Sequence, residues 1–243
     1  MLKRVLKRVT PPRVYGPISA WRRRQRPVRW GSLRRLTPIS TTFGFDRGLP
    51  IDRYYIERFL QSHSADILGR VLEIGDSGYT RRFGGERVTH FDVLHAVSGN
   101  SLATLVGDLA TGTGIPQSTF DCMVLTQTLH VVYGVRAAVA NSFTALKPGG
   151  VLLATLPGIS QVSRYDMDRW GDYWRLTDAS ARRLFGGVFG PENVQVVTFG
   201  NVLAACAFLQ GLAAHELRRD ELEYRDRDYQ VTIGVRAVKR AEA

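Results

Sequence analysis

The feature that most constrains the fold is a regular alternation, from Phe43 onward, of short apolar runs with amphipathic ones. Seven runs have the length and composition of strands, at residues 70–75, 87–93, 103–109, 120–132, 151–158, 193–200 and 229–239. Helical patterns lie between many of them, at residues 48–64, 135–146, 178–189 and 201–217. Asp52 is the expected N-cap of the first helix. The alternation predicts an α/β domain with a mostly parallel, seven-stranded sheet and helices on both faces.

Charge is distributed unevenly along the chain. Of the 33 lysines and arginines, twelve lie in residues 1–41, which contain no aspartate or glutamate. Residues 42–243 contain the other 21 lysines and arginines and all 22 aspartates and glutamates, so this part of the chain is close to neutral. We therefore predict a basic N-terminal arm over residues 1–41 and a folded domain over residues 42–243.

The arm begins with an amphipathic pattern. Leu2, Val5, Leu6 and Val9 recur at helical spacing, with lysines and arginines between them. Such a segment suits an anionic membrane surface or an acidic partner, although it is short enough to be a solvated, unfolded tail. Nucleic acid is a third possible partner, which the neutral domain disfavours. No apolar secretory segment follows the basic start, which favours a cytoplasmic protein, with peripheral membrane contact as an option.

Three acidic residues lie near the ends of the first three predicted strands: Glu73, Asp92 and Asp108. Ligands of open α/β sheets bind at the carboxyl ends of the strands. Glu73 and Asp92 are 19 residues apart, close to the spacing at which a strand-end acid meets ribose hydroxyls in nucleotide-binding folds. Gly75 allows close approach of a ligand to the backbone. The pattern predicts a nucleoside site.

Five short motifs occur in order along the domain: "EIG" at residues 73–75, Asp92, "GDL" at 107–109, "FDCMVLTQTLH" at 120–130 and "LKPGG" at 146–150. In this arrangement the chain resembles the class I S-adenosylmethionine-dependent methyltransferases, in particular the type 11 methyltransferase domain. The resemblance covers residues 43–238. It implies a Rossmann-like fold with an antiparallel last strand, and S-adenosylmethionine as cofactor.

By the same resemblance, cofactor contacts are expected from seven residues. Asp92, with Val93 beside it, would hold the ribose hydroxyls, and Asp108 and Leu109 would contact adenine. Thr126 would lie beneath the methionine moiety, with Glu73 and Gly75 shaping the loop around the amino acid end. His130, after the fourth strand, is the candidate catalytic base or acceptor contact.

The first loop departs from the family pattern. Ser77 and Tyr79 stand where further glycines are usual, and Gly78 lies one position out of register. A nicotinamide dehydrogenase is disfavoured because the G-x-G-x-x-G spacing is missing. The altered loop keeps open a second function class, a methyltransferase-like binding or scaffolding module without turnover. Nucleic-acid methylation is a third alternative.

The acceptor is expected to contact residues 157–175, which follow the fifth strand. This segment interleaves tyrosines and tryptophans with aspartates. Aromatic platforms with carboxylates suit a saccharide or another small polar metabolite, so O-methylation of such an acceptor is the predicted reaction. The histidines and acidic residues show no metal-ligand spacing, and no metal is predicted.

Overall fold

The computed structural model describes residues 31–240. The chain divides into two units between Thr37 and Pro38. The described part of the first unit holds one turn of 3₁₀ helix at Gly31–Leu33. The amphipathic helix predicted near the N-terminus lies outside the described residues. Ile39 and Ser40, which the sequence assigned to the arm, belong to the second unit, where both amides donate hydrogen bonds to Gln210 O.

The second unit is built on one seven-stranded sheet of order β3-β2-β1-β4-β5-β7-β6. Its strands are β1 Gly69–Ile74, β2 Val88–His95, β3 Leu105–Val106, β4 Phe120–Thr126, β5 Leu146–Pro157, β6 Val194–Phe199 and β7 Thr232–Val238. β1 to β5 pair in parallel, and β7 is antiparallel to both neighbours. The predicted fold class is confirmed.

Helices cover both faces of the sheet. They are α1 Ile51–Ser62, α2 Val135–Ala145, α3 Arg164–Met167, α4 Asp178–Phe189, α5 Val202–Leu209 and α6 Arg219–Glu223, with a π-helical turn at Thr80–Gly84. One apolar cluster lies between the sheet and α1 with α5, and another between the sheet and α2 with α4. The central strands are consequently buried on both faces, which explains the unbroken apolar run from Cys122 to Leu125 in β4.

Several local predictions differ from the structure. Asp52 was predicted to be the N-cap of α1, but it is the second residue of that helix, and the N-cap is Pro50. β3 has two residues because the segment around it forms turns. α5 ends at Leu209, before Gly211 adopts a left-handed conformation, and its Val202 and Leu203 are exposed. The "LKPGG" segment ends α2 as expected, but it forms the first part of β5.

No helix within residues 31–240 has the length and apolar character required to cross a membrane.

One close contact joins α1 to the sheet. A Cβ placed on Gly234 of β7 would lie 2.5 Å from the Phe59 ring of α1. Phe59 is fully buried, so the ring has little room to move. We therefore expect Gly234→Ala to lower the free energy of unfolding by about 1–3 kcal/mol through overpacking, measured by urea denaturation.

The matched control is Gly187→Ala in α4. Its Cβ would meet no atom within 4 Å, and the residue is exposed within the helix. This substitution should raise stability by about 0.5–1 kcal/mol, because alanine restricts the unfolded chain and favours the helix. Equal effects of the two substitutions would contradict the packing described for α1 and β7.

Candidate active site

The carboxyl ends of β1, β2 and β3 border a cavity of about 400 Å³, here named the edge cavity. Ile74 and Gly75 reach it from β1, Leu94 and His95 from β2, and Gly107 and Asp108 from the segment after β3. Parallel pairing brings these residues together, since Ile74 pairs with Leu94 and His95 with Val106. The cavity therefore lies where the sequence predicted a ligand site.

Gly75 lines the edge cavity in a left-handed conformation with φ of 82°. Its amide donates to Leu94 O at 3.1 Å, and its carbonyl accepts a hydrogen bond from Asn100 Nδ2 at 2.7 Å. A Cβ added here would meet no atom within 4 Å. The backbone is thus held in a conformation that glycine adopts readily, beside open space that a ligand could use.

Glu73 holds the loop after β1 through hydrogen bonds to its backbone. Its buried carboxylate accepts hydrogen bonds from the amides of Tyr79 at 3.2 Å and Thr80 at 2.8 Å. Burial raises the pKa of Glu73, and these hydrogen bonds oppose the shift in part. Glu73 does not line the edge cavity. Tyr79 stacks on Phe83 and accepts a hydrogen bond from Arg53, so its ring leaves the edge cavity open.

Asp92 occupies a different position from the one expected. It pairs with Leu72, two residues before the end of β1, and so lies within the sheet. Its carboxylate accepts hydrogen bonds from Arg70 Nε at 2.6 Å and Thr104 Oγ1 at 3.1 Å. The carboxylate is buried and does not line the edge cavity. β2 continues for three residues beyond Asp92, so Asp92 lies before the strand end, and its contact with a ribose stays a prediction.

The other predicted contacts divide into two groups. Gly75, Asp108 and Leu109 line the edge cavity, whereas Val93 and Thr126 are absent from its lining. Val93 is buried, with its amide 3.0 Å from Thr104 Oγ1. Asp108 accepts a hydrogen bond from the Ala110 amide at 2.8 Å. Sequence reasoning missed His95 and Thr128, which lie two or three residues beyond Asp92 and Thr126.

The segment after β5 supplies the aromatic wall of the edge cavity. Tyr165, Trp170 and Tyr173 line it, together with Tyr133 from the other side. Tyr133 and Tyr173 contact edge to face with ring centroids 5.3 Å apart. These aromatic residues face the ends of the first strands. Contact between this segment and the acceptor stays a prediction.

A second cavity of about 530 Å³, here named the polar cavity, lies beside β4 and β5. Asp52 and Arg53 of α1 line one side, and Arg164, Asp172 and Arg175 line another. Tyr165 borders both cavities. Burial raises the pKa of Asp52. The paired charges make this cavity suitable for a polar molecule.

Gln127 lines the polar cavity directly after β4 with φ of 46°, an unusual conformation for a residue with a side chain. Its amide approaches Thr155 O at 3.0 Å and Thr155 Oγ1 at 3.2 Å. The conformation costs on the order of 1 kcal/mol and persists only where the surroundings enforce it. Such strain is common at functional sites.

His130 lines the polar cavity and is buried. Burial lowers its pKa, and the nearby Asp172 opposes the shift only in part. Nε2 lies 4.0 Å from Asp172 Oδ1, and Nδ1 has no hydrogen-bond partner among residues 31–240. The lowered pKa favours the neutral imidazole, and the Nδ1 atom, without a partner in this range, is enclosed by the protein.

Asp172 is in turn held by Arg175. The guanidinium donates to both carboxylate oxygens at 2.5 and 2.8 Å, and the Ser163 amide donates at 2.9 Å. Burial alone would raise the pKa of Asp172, but these hydrogen bonds outweigh it and lower the pKa. An ionised Asp172 can stabilise the cation formed when His130 takes up a proton.

The chain was compared with known protein families and structures. Residues 74–154 match the family model described as a methyltransferase domain. No curated protein matches the chain in sequence.

Two solved structures share the fold. The N-methyltransferase NodS from Bradyrhizobium japonicum WM9, in complex with S-adenosylhomocysteine, has a TM-score of 0.51 at 14% identity, over 83% of this chain and 94% of that one. A SAM-dependent methyltransferase from Archaeoglobus fulgidus has a TM-score of 0.51 at 11% identity, over 77% and 94%. The family match begins at Ile74, the last residue of β1, and ends at Ala154 in β5, so it contains β2, β3 and His130. Residues 74–154 are thus similar to a methyltransferase domain, and the second unit has the fold of these methyltransferases.

Proposed function

We propose that the protein transfers a methyl group from S-adenosylmethionine to a hydroxyl group of a small polar acceptor, with saccharides as the favoured class. The observation that carries this proposal is the pair of adjoining cavities that share Tyr165. The edge cavity lies over the strands that bind a nucleoside in this fold, and the polar cavity contains a candidate base. Donor and acceptor would therefore meet near the end of β4.

The edge cavity fits an adenosyl group. Its volume lies in the range of small-molecule sites, roughly 300–1,000 Å³. Gly75 leaves room beside the backbone, aromatic rings form one wall, and Asp108 and His95 provide polar atoms. When bound, S-adenosylmethionine would supply an electrophilic methyl group on a sulfonium. Gly75, Leu109 and Asp108 are the residues of this chain that would hold it.

His130 suits the role of general base. A hydroxyl acceptor must lose its proton as its oxygen attacks the methyl carbon, whereas positioning supplies much of the remaining rate enhancement. The neutral imidazole would take that proton, and Asp172 would stabilise the resulting cation. Arg175 keeps Asp172 in place through two hydrogen bonds.

The lining of the polar cavity supports a hydroxylated acceptor. Arginines and aspartates alternate with the neutral polar groups of Thr42, Gln127, Ser160 and Gln161. Phe43, Phe45 and Pro157 add apolar surface to this lining. Donors and acceptors beside apolar surface match a hydroxylated ring better than one strong anion. The role of the basic arm, and its contact with an anionic surface, remain predictions from the sequence.

Binding of S-adenosylhomocysteine tests the nucleoside site. Gly75→Ala should weaken binding about tenfold, measured by calorimetry, because the new methyl group projects into the edge cavity. Gly85→Ala is the matched control. Gly85 also has positive φ and an open Cβ position, but it does not line the edge cavity.

Both glycine variants should lose about 1–2 kcal/mol of stability from backbone strain. Only Gly75→Ala should lose affinity. Failure of the folded wild-type protein to bind S-adenosylhomocysteine would reject the enzymatic proposal and favour the scaffolding module that the altered first loop suggests.

The pH dependence of turnover tests the base. Because burial lowers the pKa of His130, the acidic limb of the kcat profile should lie below about pH 6.5, the usual value for histidine. His130→Gln should lower kcat about 10²- to 10⁴-fold and abolish that limb. Turnover would be followed as S-adenosylhomocysteine released with a panel of monosaccharide and polyol acceptors.

His63→Gln is the control for this effect. Burial also lowers the pKa of His63, but this residue lines neither cavity. Its replacement should leave kcat and the acidic limb unchanged. An acidic limb that persists in His130→Gln would remove His130 from the proton transfer.

A further inference from the structure

The polar side chain at the end of β2 is a histidine. His95 is the last residue of β2, and it lines the edge cavity between Gly75 after β1 and Asp108 after β3. A nucleoside lying across the ends of these three strands would pass over this residue. His95 therefore occupies the place at which ribose hydroxyl groups are read in nucleotide-binding sheets.

One hydrogen bond determines which atom His95 presents to the cavity. Nδ1 lies 2.8 Å from the carbonyl oxygen of Val97. The Val97 amide also approaches Nδ1, but at the longer distance of 3.4 Å. Because a carbonyl oxygen can only accept, the shorter contact favours a proton on Nδ1 that is donated to Val97 O. In the neutral ring Nε2 is then an acceptor with a free lone pair. The ring also contacts Trp170 edge to face at 5.8 Å, which limits its rotation.

Neither carboxylate near the edge cavity, Asp92 or Asp108, is placed to accept a hydrogen bond from a ribose hydroxyl group at the end of β2. Asp92 is committed to Arg70 and Thr104 inside the sheet. Among the described residues that line the edge cavity, Asp108 is the one carboxylate, and it lies after β3, on the far side of His95 from Gly75. No second acid therefore stands at the end of β2 to receive a hydroxyl pair.

We propose that Nε2 of His95 accepts a hydrogen bond from one ribose hydroxyl group of the cofactor, in place of the acid expected from the sequence. This inference rests on the proposed function, since it requires a nucleoside in the edge cavity. A carboxylate accepts from two vicinal hydroxyl groups, whereas a neutral imidazole with one free nitrogen accepts from one. The protein therefore distinguishes the two ribose hydroxyl groups.

Calorimetry with the full chain tests this with three probes: S-adenosylhomocysteine and its 2′-deoxy and 3′-deoxy analogues. Wild-type protein should bind one deoxy analogue about 3- to 10-fold more weakly than S-adenosylhomocysteine, and the other almost equally well. His95→Ala should bind S-adenosylhomocysteine 3- to 10-fold more weakly and lose the discrimination. His95→Gln, whose amide oxygen can reach a similar position, should restore part of both.

Asp92→Ala is the matched control. It removes the acid expected from the sequence, lowers stability through loss of its contact with Arg70, and should keep the wild-type discrimination between the three probes. Undiminished discrimination in His95→Ala, its loss in Asp92→Ala, or its absence in the wild type would each overturn the inference. In all three cases wild-type binding of S-adenosylhomocysteine would still support the proposed function, whereas absence of that binding would overturn both.

Discussion

The hydrogen-bonded register between β1, β2 and β4 is the constraint on which the candidate site depends. Leu72 pairs with Asp92 and with Met123, and this alignment fixes which residue of each strand stands at the sheet edge. In a parallel sheet a shift of one residue exchanges the faces of a whole strand. The identity of the edge residues is therefore a property of three strands together, and of none of them alone.

The register places two polar side chains of β2 in different surroundings. Asp92, inside the sheet, neutralises Arg70 and accepts from Thr104, so it contributes to the packing of the sheet. His95, three residues later, reaches the cavity with a ring whose tautomer is set by Val97 O. The buried carboxylate thus makes its contacts within the sheet, and the imidazole on the same strand is the proposed ribose contact.

The segment after β5 separates the two halves of the proposed reaction. Its tyrosines and Trp170 form a wall of the edge cavity, and its Asp172 and Arg175 form a buried ion pair beside His130. Burial lowers the pKa of the imidazole, which suits the proposed base, and the Arg175 guanidinium lowers the pKa of Asp172 close to it. Both effects arise because this segment folds back over the ends of β4 and β5.

The sequence by itself determined the α/β architecture, since apolar periodicity and strand-to-helix alternation depend on local spacing and burial. It also located the Gly75 turn, Asp108, Leu109 and His130, because glycine conformation and proximity to a strand end can be read from neighbouring residues. It predicted cofactor contacts from Asp92 and Thr126, whereas His95 and Thr128 are the residues of these two segments that line the edge cavity. The apolar Val93 and Leu94 were the available signal that β2 continues.

Only the tertiary structure decided which polar groups face a cavity. Whether Asp92 meets a ligand or an arginine depends on Arg70, which lies on the neighbouring strand and 22 positions away in the chain. The neutral state of His130 depends on burial by a segment more than 40 residues later, which includes Trp174 against Val132 O. Register, burial and ion pairing join residues distant in the chain, so no local pattern contains them.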